Sequence, residues 1–373
     1  MLRSSLGGRP ARRLAAQGCL IRLEAFLTQV ARKRARPPAR RSPPIRWTAT
    51  GPASTVGEMS GPVGTVDAPP AQAGASAVEP ACVEVTASRV ANVGRMPVRR
   101  ALPRRERRTV GAWCFADHMG PAAVTETSGL DIGPHPHTGL QTVTWLLAGE
   151  VLHRDSLGTA QLIRAGQLNL MTAGHGVAHS EEATGAYRGQ VHGVQLWIAQ
   201  PERTRHGGAG FEHHPELPVA ELDNAVATVL VGEFAGAASP ARHDTPLVGV
   251  DGAMRPGRSA WPLEPGFEYA LVVLDGQTQV QDIPVRPGQL AYLGRGRDRL
   301  ELAADGPARV LLLGGEPFEE PILMWWNFVA RTREEIVAAA TAWRAEDPRF
   351  GRVASPLARL RLPPLPWPRT PRP

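Results

Sequence analysis

Lysine is almost absent from this chain of 373 residues: Lys33 is its single example, while arginine is abundant. No binding chemistry needs arginine at nearly every basic position, so the bias reads as the codon usage of a GC-rich genome. Cysteine is scarce too. Cys19, Cys82 and Cys114 are far apart, odd in number and free of any CxxC spacing, which argues against a disulfide framework or a zinc ribbon. A reducing, cytoplasmic compartment is the expectation. No apolar run approaches the ~18 residues of a membrane span. The short stretch Cys19-Leu20-Ile21 is interrupted by Arg22 and Glu24, so a secretory segment is also absent. Aromatic residues make up only 5 %, against 39 glycines and 36 prolines, a balance that fits short strands and many turns better than long helices.

Charge needs dissection before it is used. The formal net charge is +7, but residues 1–58 hold twelve Arg and Lys against only Glu24 and Glu58. That segment carries a surplus of ten positive charges, which leaves residues 59–373 at −3. The mildly acidic remainder gives no warrant for a nucleic-acid surface. For residues 1–58 the favoured expectation is a disordered tail or a mis-assigned start, with translation from Met59. A transit peptide with a basic amphipathic helix over 11–35 and a nucleic-acid tail compete with it. Residues 59–80 are rich in Gly, Pro, Ala and Ser and extend this leader through residue 80.

Globular structure is expected from near Val83. Val98–Pro103 and Val110–Phe115 read as short strands, and Ala116–Pro121 as a turn-rich segment. The next stretch, Asp131–Glu182, concentrates the chemistry. It opens on Gly133-Pro134-His135-Pro136-His137-Thr138-Gly139 and closes on Ala178-His179-Ser180-Glu181. Strand side chains alternate faces, so His135 and His137 point one way together, as do His179 and Glu181. Three imidazoles and one carboxylate converging in β-structure would form a mononuclear site for one divalent ion. Iron(II) suits it, with Mn, Ni, Cu or Zn as alternatives. Four protein ligands on a six-coordinate ion would leave two open positions. Other histidines read more blandly. His153 is expected on a strand surface, His213 and His214 in a solvated loop, and His175, four residues before His179, behind the ligands, where it could compete as one of them. His118, beside Asp117, is either a pocket residue or a satisfied turn histidine.

Many short strands with close turns predict an all-β barrel or sandwich. A weak internal repeat predicts two copies. Trp145-Leu146-Leu147-Ala148-Gly149 followed by Ala165-Gly166-Gln167-Leu168 parallels Val272-Val273-Leu274-Asp275-Gly276 followed by Pro287-Gly288-Gln289-Leu290. By that alignment the ligand positions become Pro262, Glu264, Glu301 and Ala303, so the second copy lacks the site. The expected division is 81–200, a connection over 201–245, and 246–373. Near the end, Thr332-Arg333-Glu334-Glu335 has the capping-box pattern, and Ile336, Ala339, Ala340 and Trp343 follow helical spacing. The Pro-rich residues 355–373 are expected to wrap the surface or fray.

Several of these segments together resemble the pirin family of the cupin superfamily. They are Asp117-His118-Met119-Gly120-Pro121, His135-Pro136-His137-Thr138-Gly139-Leu140, His153-Arg154-Asp155-Ser156-Leu157-Gly158, Met171-Thr172-Ala173-Gly174, His179-Ser180-Glu181, Val191–Trp197 and Met324-Trp325-Trp326-Asn327-Phe328-Val329. The resemblance spans roughly residues 83–350. It implies a bicupin, two antiparallel jelly-roll barrels with a short C-terminal helix, the first carrying the metal. It also implies His135, His137, His179 and Glu181 as ligands and iron as the usual metal. Cupins often place a glutamate where Gln141 stands, but pirins take their carboxylate from the second motif. The implied activity is that of a quercetin 2,3-dioxygenase, an oxidoreductase acting on a small aromatic, flavonol-like substrate with dioxygen. Glu181 would be its catalytic base, and Trp145 and Met171 either pocket lining or core. The competing expectation is a non-enzymatic, redox-sensing regulator whose metal state governs a protein partner. A third is a metal-free structural bicupin. Neither nucleic acid nor membrane is an expected partner.

Overall fold

A computed structural model describes residues 82–94, 96–125 and 130–367. The expectations for 1–58 and 59–80, and for the last residues of the tail, lie outside this range. The architecture is four layers of antiparallel sheet. In the first domain a seven-stranded sheet runs in the order Gly210–His214, Leu168–Thr172, Leu140–Ala148, Gly189–Ala199, Trp113–Val124, Met96–Leu102, Arg89–Val93. A four-stranded sheet covers it, in the order Ile132–His137, Val177–Glu182, Glu150–Asp155, Ala160–Arg164. The second domain repeats the plan. Its seven-stranded sheet is Glu84–Ala87, Gln289–Gly294, Glu268–Asp275, Ala308–Gly315, Leu247–Met254, Ala225–Val231, Val219–Leu222. Its four-stranded sheet is Gly257–Pro262, Arg299–Ala304, Thr278–Val280, Ile283–Val285.

The two large sheets pack against each other, and this determines which side chains reach the site. Val143, Trp145, Val194, Leu196 and Ile198 on one sheet share a core with Leu230, Val272, Leu274, Leu311 and Leu313 on the other. The Trp145 indole donates to Asp251 Oδ2 at 2.7 Å, and Arg309 Nε meets the other oxygen at 2.6 Å. Trp145 is therefore interdomain core, and Met171 likewise packs in a core cluster. Because both faces are covered, Trp113 through Met119 are all buried. The segment expected as a turn, Ala116–Pro121, is instead the middle of a 12-residue strand. Gly120 and Pro121 fall where the ladder shifts between Val191 and Gly193, and a bulge tolerates a residue without an N–H.

Two short strands bind the domains together. Glu84–Ala87 pairs with Gln289–Tyr292 of the second domain before the chain enters the first. Gly210–His214 returns to the edge of the first, against Leu168–Thr172. The chain after the second domain also comes back. A hairpin of Leu323–Trp325 and Phe328–Ala330, the helix Arg333–Arg344 and Phe350 join the core of the first domain with Met119, Ile132 and Val151. The helix begins as its sequence predicts, with Thr332 accepting the Glu335 N–H at 3.2 Å, and it buries Ile336, Ala339, Ala340 and Trp343. The proline-rich tail lies along the strand Ile132–His137, where the Leu360 N–H donates to Pro134 O at 2.8 Å. Gly133 permits that approach, since a Cβ there would meet Ala358 O at 2.0 Å. The all-β expectation with two domains and one short C-terminal helix is met.

Candidate metal centre

The strand Ile132–His137 reads Ile-Gly-Pro-His-Pro-His and is buried throughout. It lies at the edge of its sheet, the position where prolines at 134 and 136 are tolerated. His179 stands opposite His135, and Val177 opposite His137. The i, i+2 spacing thus points all three imidazoles into the space between the two sheets of the first domain. Their nitrogens lie within 4.8 Å of one another, and among the described residues this is the group able to hold a metal ion. Glu181 follows a bulge on the same strand and lines the same cavity. Its carboxylate does not fall inside that 4.8 Å group.

Each imidazole is held through Nδ1. His135 Nδ1 donates to Gly133 O at 2.9 Å. His137 Nδ1 donates to Asn327 O at 3.2 Å, in the turn of the C-terminal hairpin. Trp326 occupies that turn with φ 54°, a conformation few bulky residues adopt, and it packs in the core while the next residue, Asn327, turns its carbonyl to His137. His179 Nδ1 lies 3.3 Å from His153 Nδ1, and His153 Nε2 is 3.1 Å from Asp155 Oδ2. A neutral ring with Nδ1–H has a bare lone pair on Nε2. His137 Nε2 and His179 Nε2 nevertheless stand 3.0 Å apart. Two lone pairs at that distance repel unless a proton or a metal ion lies between them. The spacing matches the edge between adjacent ligands of an octahedral ion at ~2.1 Å from each nitrogen. The donor set therefore fits a divalent ion.

Burial keeps these groups in the ligating form. It pushes His135 down to about 4 and holds His137 and His179 well below the usual histidine range, the neighbouring imidazoles adding to the effect. Burial acts on Glu181 in the opposite sense and raises it to about 7, against a weaker opposing hydrogen bond with Thr144. The wall is largely apolar, with Val93, Val98, Met119, Leu130 and Ile132 beside Phe115 and Trp197. Those two aromatic rings stack at 4.1 Å, and Trp197 meets His137 edge-on at 5.2 Å. Arg100 grips Asp117, also in the wall, through two bonds of 2.8 Å and lies 4.4 Å over the Phe115 ring. The cavity has a volume of about 20 Å³, room for about one water.

Several histidine expectations need correction. His153 is not on the surface; it is 4 % exposed and contacts a candidate ligand. Its sequence signal was the same i, i+2 spacing, His153 with Asp155, that revealed the ligands. His213 and His214 belong to a half-buried strand, and His213 Nδ1 meets Asn169 Oδ1 at 2.7 Å. His175 is exposed and lies outside the cluster. His118 is buried, but its Nε2 meets His192 Nε2 at 2.8 Å away from the cavity, and burial pushes it down to about 3. Gln141 bonds to Thr172 Oγ1 and takes no part. Cys114 is buried and its thiol pushed up to about 12, so it supplies no thiolate.

Two packed β-domains with one histidine cluster define a bicupin with a candidate metal centre in its first half. Residues 95–198 match the family model described as Pirin, and residues 249–351 that described as Pirin C-terminal cupin domain. The chain belongs to the pirin family. It is 49 % identical over 285 residues to a Pseudomonas aeruginosa protein named "Putative quercetin 2,3-dioxygenase", an alignment spanning 76 % of this chain and 90 % of that one. A "Pirin-like protein" of Caulobacter vibrioides is 36 % identical over 68 % of this chain and 90 % of its own length. Among solved structures, a quercetin 2,3-dioxygenase from Acinetobacter baumannii superposes with a TM-score of 0.74 at 46 % identity, covering 76 % of this chain and 96 % of that one.

Proposed function

We propose that this pirin is a mononuclear metal oxidoreductase, a dioxygenase for a flavonol-like substrate, with iron(II) as the working metal and Mn, Ni, Cu or Zn as competitors. The observation that carries the proposal is the buried group of His135, His137 and His179 nitrogens within 4.8 Å of one another, two of them 3.0 Å apart, in an apolar cavity beside Glu181. The relative named for quercetin 2,3-dioxygenase, at 49 % identity, supports the substrate class. In this reading residues 81–200 supply most of the metal-bearing domain and 246–373 most of the metal-free one, while 201–245, expected as a connection, gives Gly210–His214 to the first large sheet and Val219–Leu222 and Ala225–Val231 to the second; the protein works in the cytoplasm. No helix among the described residues is long and apolar enough to cross a membrane.

His135, His137 and His179 would hold the ion, with Glu181 as the fourth ligand. Bound there, the ion would supply Lewis acidity and redox chemistry toward dioxygen. The chain supplies the rest. Phe115 and Trp197 offer an aromatic surface to a planar substrate. The apolar wall excludes water. Glu181, lining the same cavity, would take the proton of a substrate hydroxyl on partly leaving the ion. Because a cavity of about 20 Å³ admits about one water, an aromatic substrate enters only as the lining parts. Anaerobic loading with iron(II), followed by quercetin and dioxygen, tests the proposal: flavonol absorbance should fall with turnover. Full metal occupancy without turnover would refute it. The small cavity is the one observation that favours the second reading, a regulator that senses redox state through the metal and binds a protein partner.

A further inference from the structure

His153 and Asp155 lie outside the three-histidine group but directly behind one of its members. Their strand, Glu150–Asp155, pairs with Val177–Glu182, placing Asp155 opposite His179 and His153 opposite Glu181. His153 is 4 % and Asp155 2 % exposed. Asp155 Oδ2 is 3.1 Å from His153 Nε2, while Oδ1 accepts the N–H groups of Leu157 and Thr159 at 2.9 Å each. An ionised carboxylate only accepts, so His153 carries a proton on Nε2, and a neutral ring then leaves Nδ1 bare. That bare nitrogen is the one 3.3 Å from His179 Nδ1. Phe211, from the strand Gly210–His214, stacks on the His153 ring at 4.5 Å and fixes its plane. His135 and His137 donate to main-chain carbonyls, whose accepting power is constant. Of the three, only His179 donates to a side chain.

We propose that Asp155, acting through His153, sets the tautomer of His179 and holds its Nε2 lone pair toward the ion, so that this pair tunes the metal without touching it. The inference rests on the metal reading of the cluster. A histidine backed by a buried carboxylate is a stronger acceptor than a carbonyl, which makes His179 the more basic ligand. His153 and Asp155 are positioning residues.

Asp155→Asn keeps the shape and an oxygen for the turn, but presents an N–H to His153 Nε2. His153 must then accept at Nε2 and carry its proton on Nδ1, so two donors face each other at His179. The expected result is about 10–100-fold weaker nickel(II) binding in competition with a chromophoric chelator. Imidazole nitrogen NMR of the metal-free protein should show His153 protonated at Nε2 in the wild type and at Nδ1 in the variant. His153→Gln offers an amide oxygen that accepts from His179 without Asp155. Adding Asp155→Asn to that background should change nickel affinity by less than about twofold. A merely structural role for Asp155 would give equal losses in both backgrounds. The proposal is overturned by equal losses, by unchanged affinity in Asp155→Asn, or by wild-type His153 protonated at Nδ1. Wild-type protein that takes up no nickel would fail the metal reading itself; metal-binding wild type with indifferent variants would fail this inference alone.

Discussion

The two domains share one plan, a seven-stranded sheet covered by a four-stranded one, and fill its interior in opposite ways. In the second, Trp261, Leu300, Leu302 and Val280 of the small sheet meet Val250, Leu271, Val310 and Leu312 of the large one. The Trp261 ring reaches so far across that a Cβ on Gly252 would stand 2.3 Å from it. In the first, the small sheet presents His135, His137, His179 and Glu181, and a cavity remains. Burying imidazoles and a carboxylate costs free energy that apolar packing does not. One copy therefore contributes stability, while the other holds the buried polar groups. The C-terminal hairpin, helix and tail add apolar packing to the metal-bearing copy, since they pack on it rather than on the domain they follow.

Removing the packing that fills the second domain should have the largest effect. Trp261→Ala should cost about 3–5 kcal/mol in chemical denaturation, because the glycine-lined slot cannot collapse around the missing ring. The metal centre should keep its affinity; a matching loss of metal binding would mean that the two interiors are not independent.

Acid should next expose the polar interior of the first domain. His135, at about 4, and His118, at about 3, lie below their unfolded value of 6.5, so the unfolded chain binds more protons between those limits. Their contribution is complete above pH 6.5 and is lost as pH falls toward 4. Glu181, raised from 4.5 to about 7, has the opposite sign and offsets roughly one histidine. Because His137 and His179 shift in the same direction as His135, metal-free protein should lose at least about 3 kcal/mol between pH 7 and pH 4, read from urea midpoints. A flat profile would contradict the neutral, buried state of these rings.

The smallest effect should come from the reinforcing helix. Thr332→Ala removes an N-cap and should cost about 1 kcal/mol, with the melting temperature as readout. A change in metal affinity as well would show that the helix braces the site more closely than its contacts suggest.

The sequence made the candidate ligands legible because strand alternation converts i, i+2 spacing into a shared face. The helix was legible through Thr332 and its apolar spacing. The surface position expected for His153 fails because Val151, His153 and Asp155 form the buried face of Glu150–Asp155, and two polar residues on one face disguise it as solvent-facing. The turn expected at Ala116–Pro121 is a strand because Gly-Pro, which usually ends one, here occupies a bulge. The strand Glu84–Ala87, the Asn327 carbonyl behind His137 and the tail against Gly133 were not legible. Each depends on a contact between residues distant in sequence, with no local period to announce it.

The most direct test is metal analysis of protein loaded with iron(II) under anaerobic conditions, compared with His137→Ala. One ion per chain in the wild type and none in the folded variant would place the metal in the first domain alone. Stoichiometric iron retained by His137→Ala, or two ions per chain in the wild type, would contradict the division between the domains.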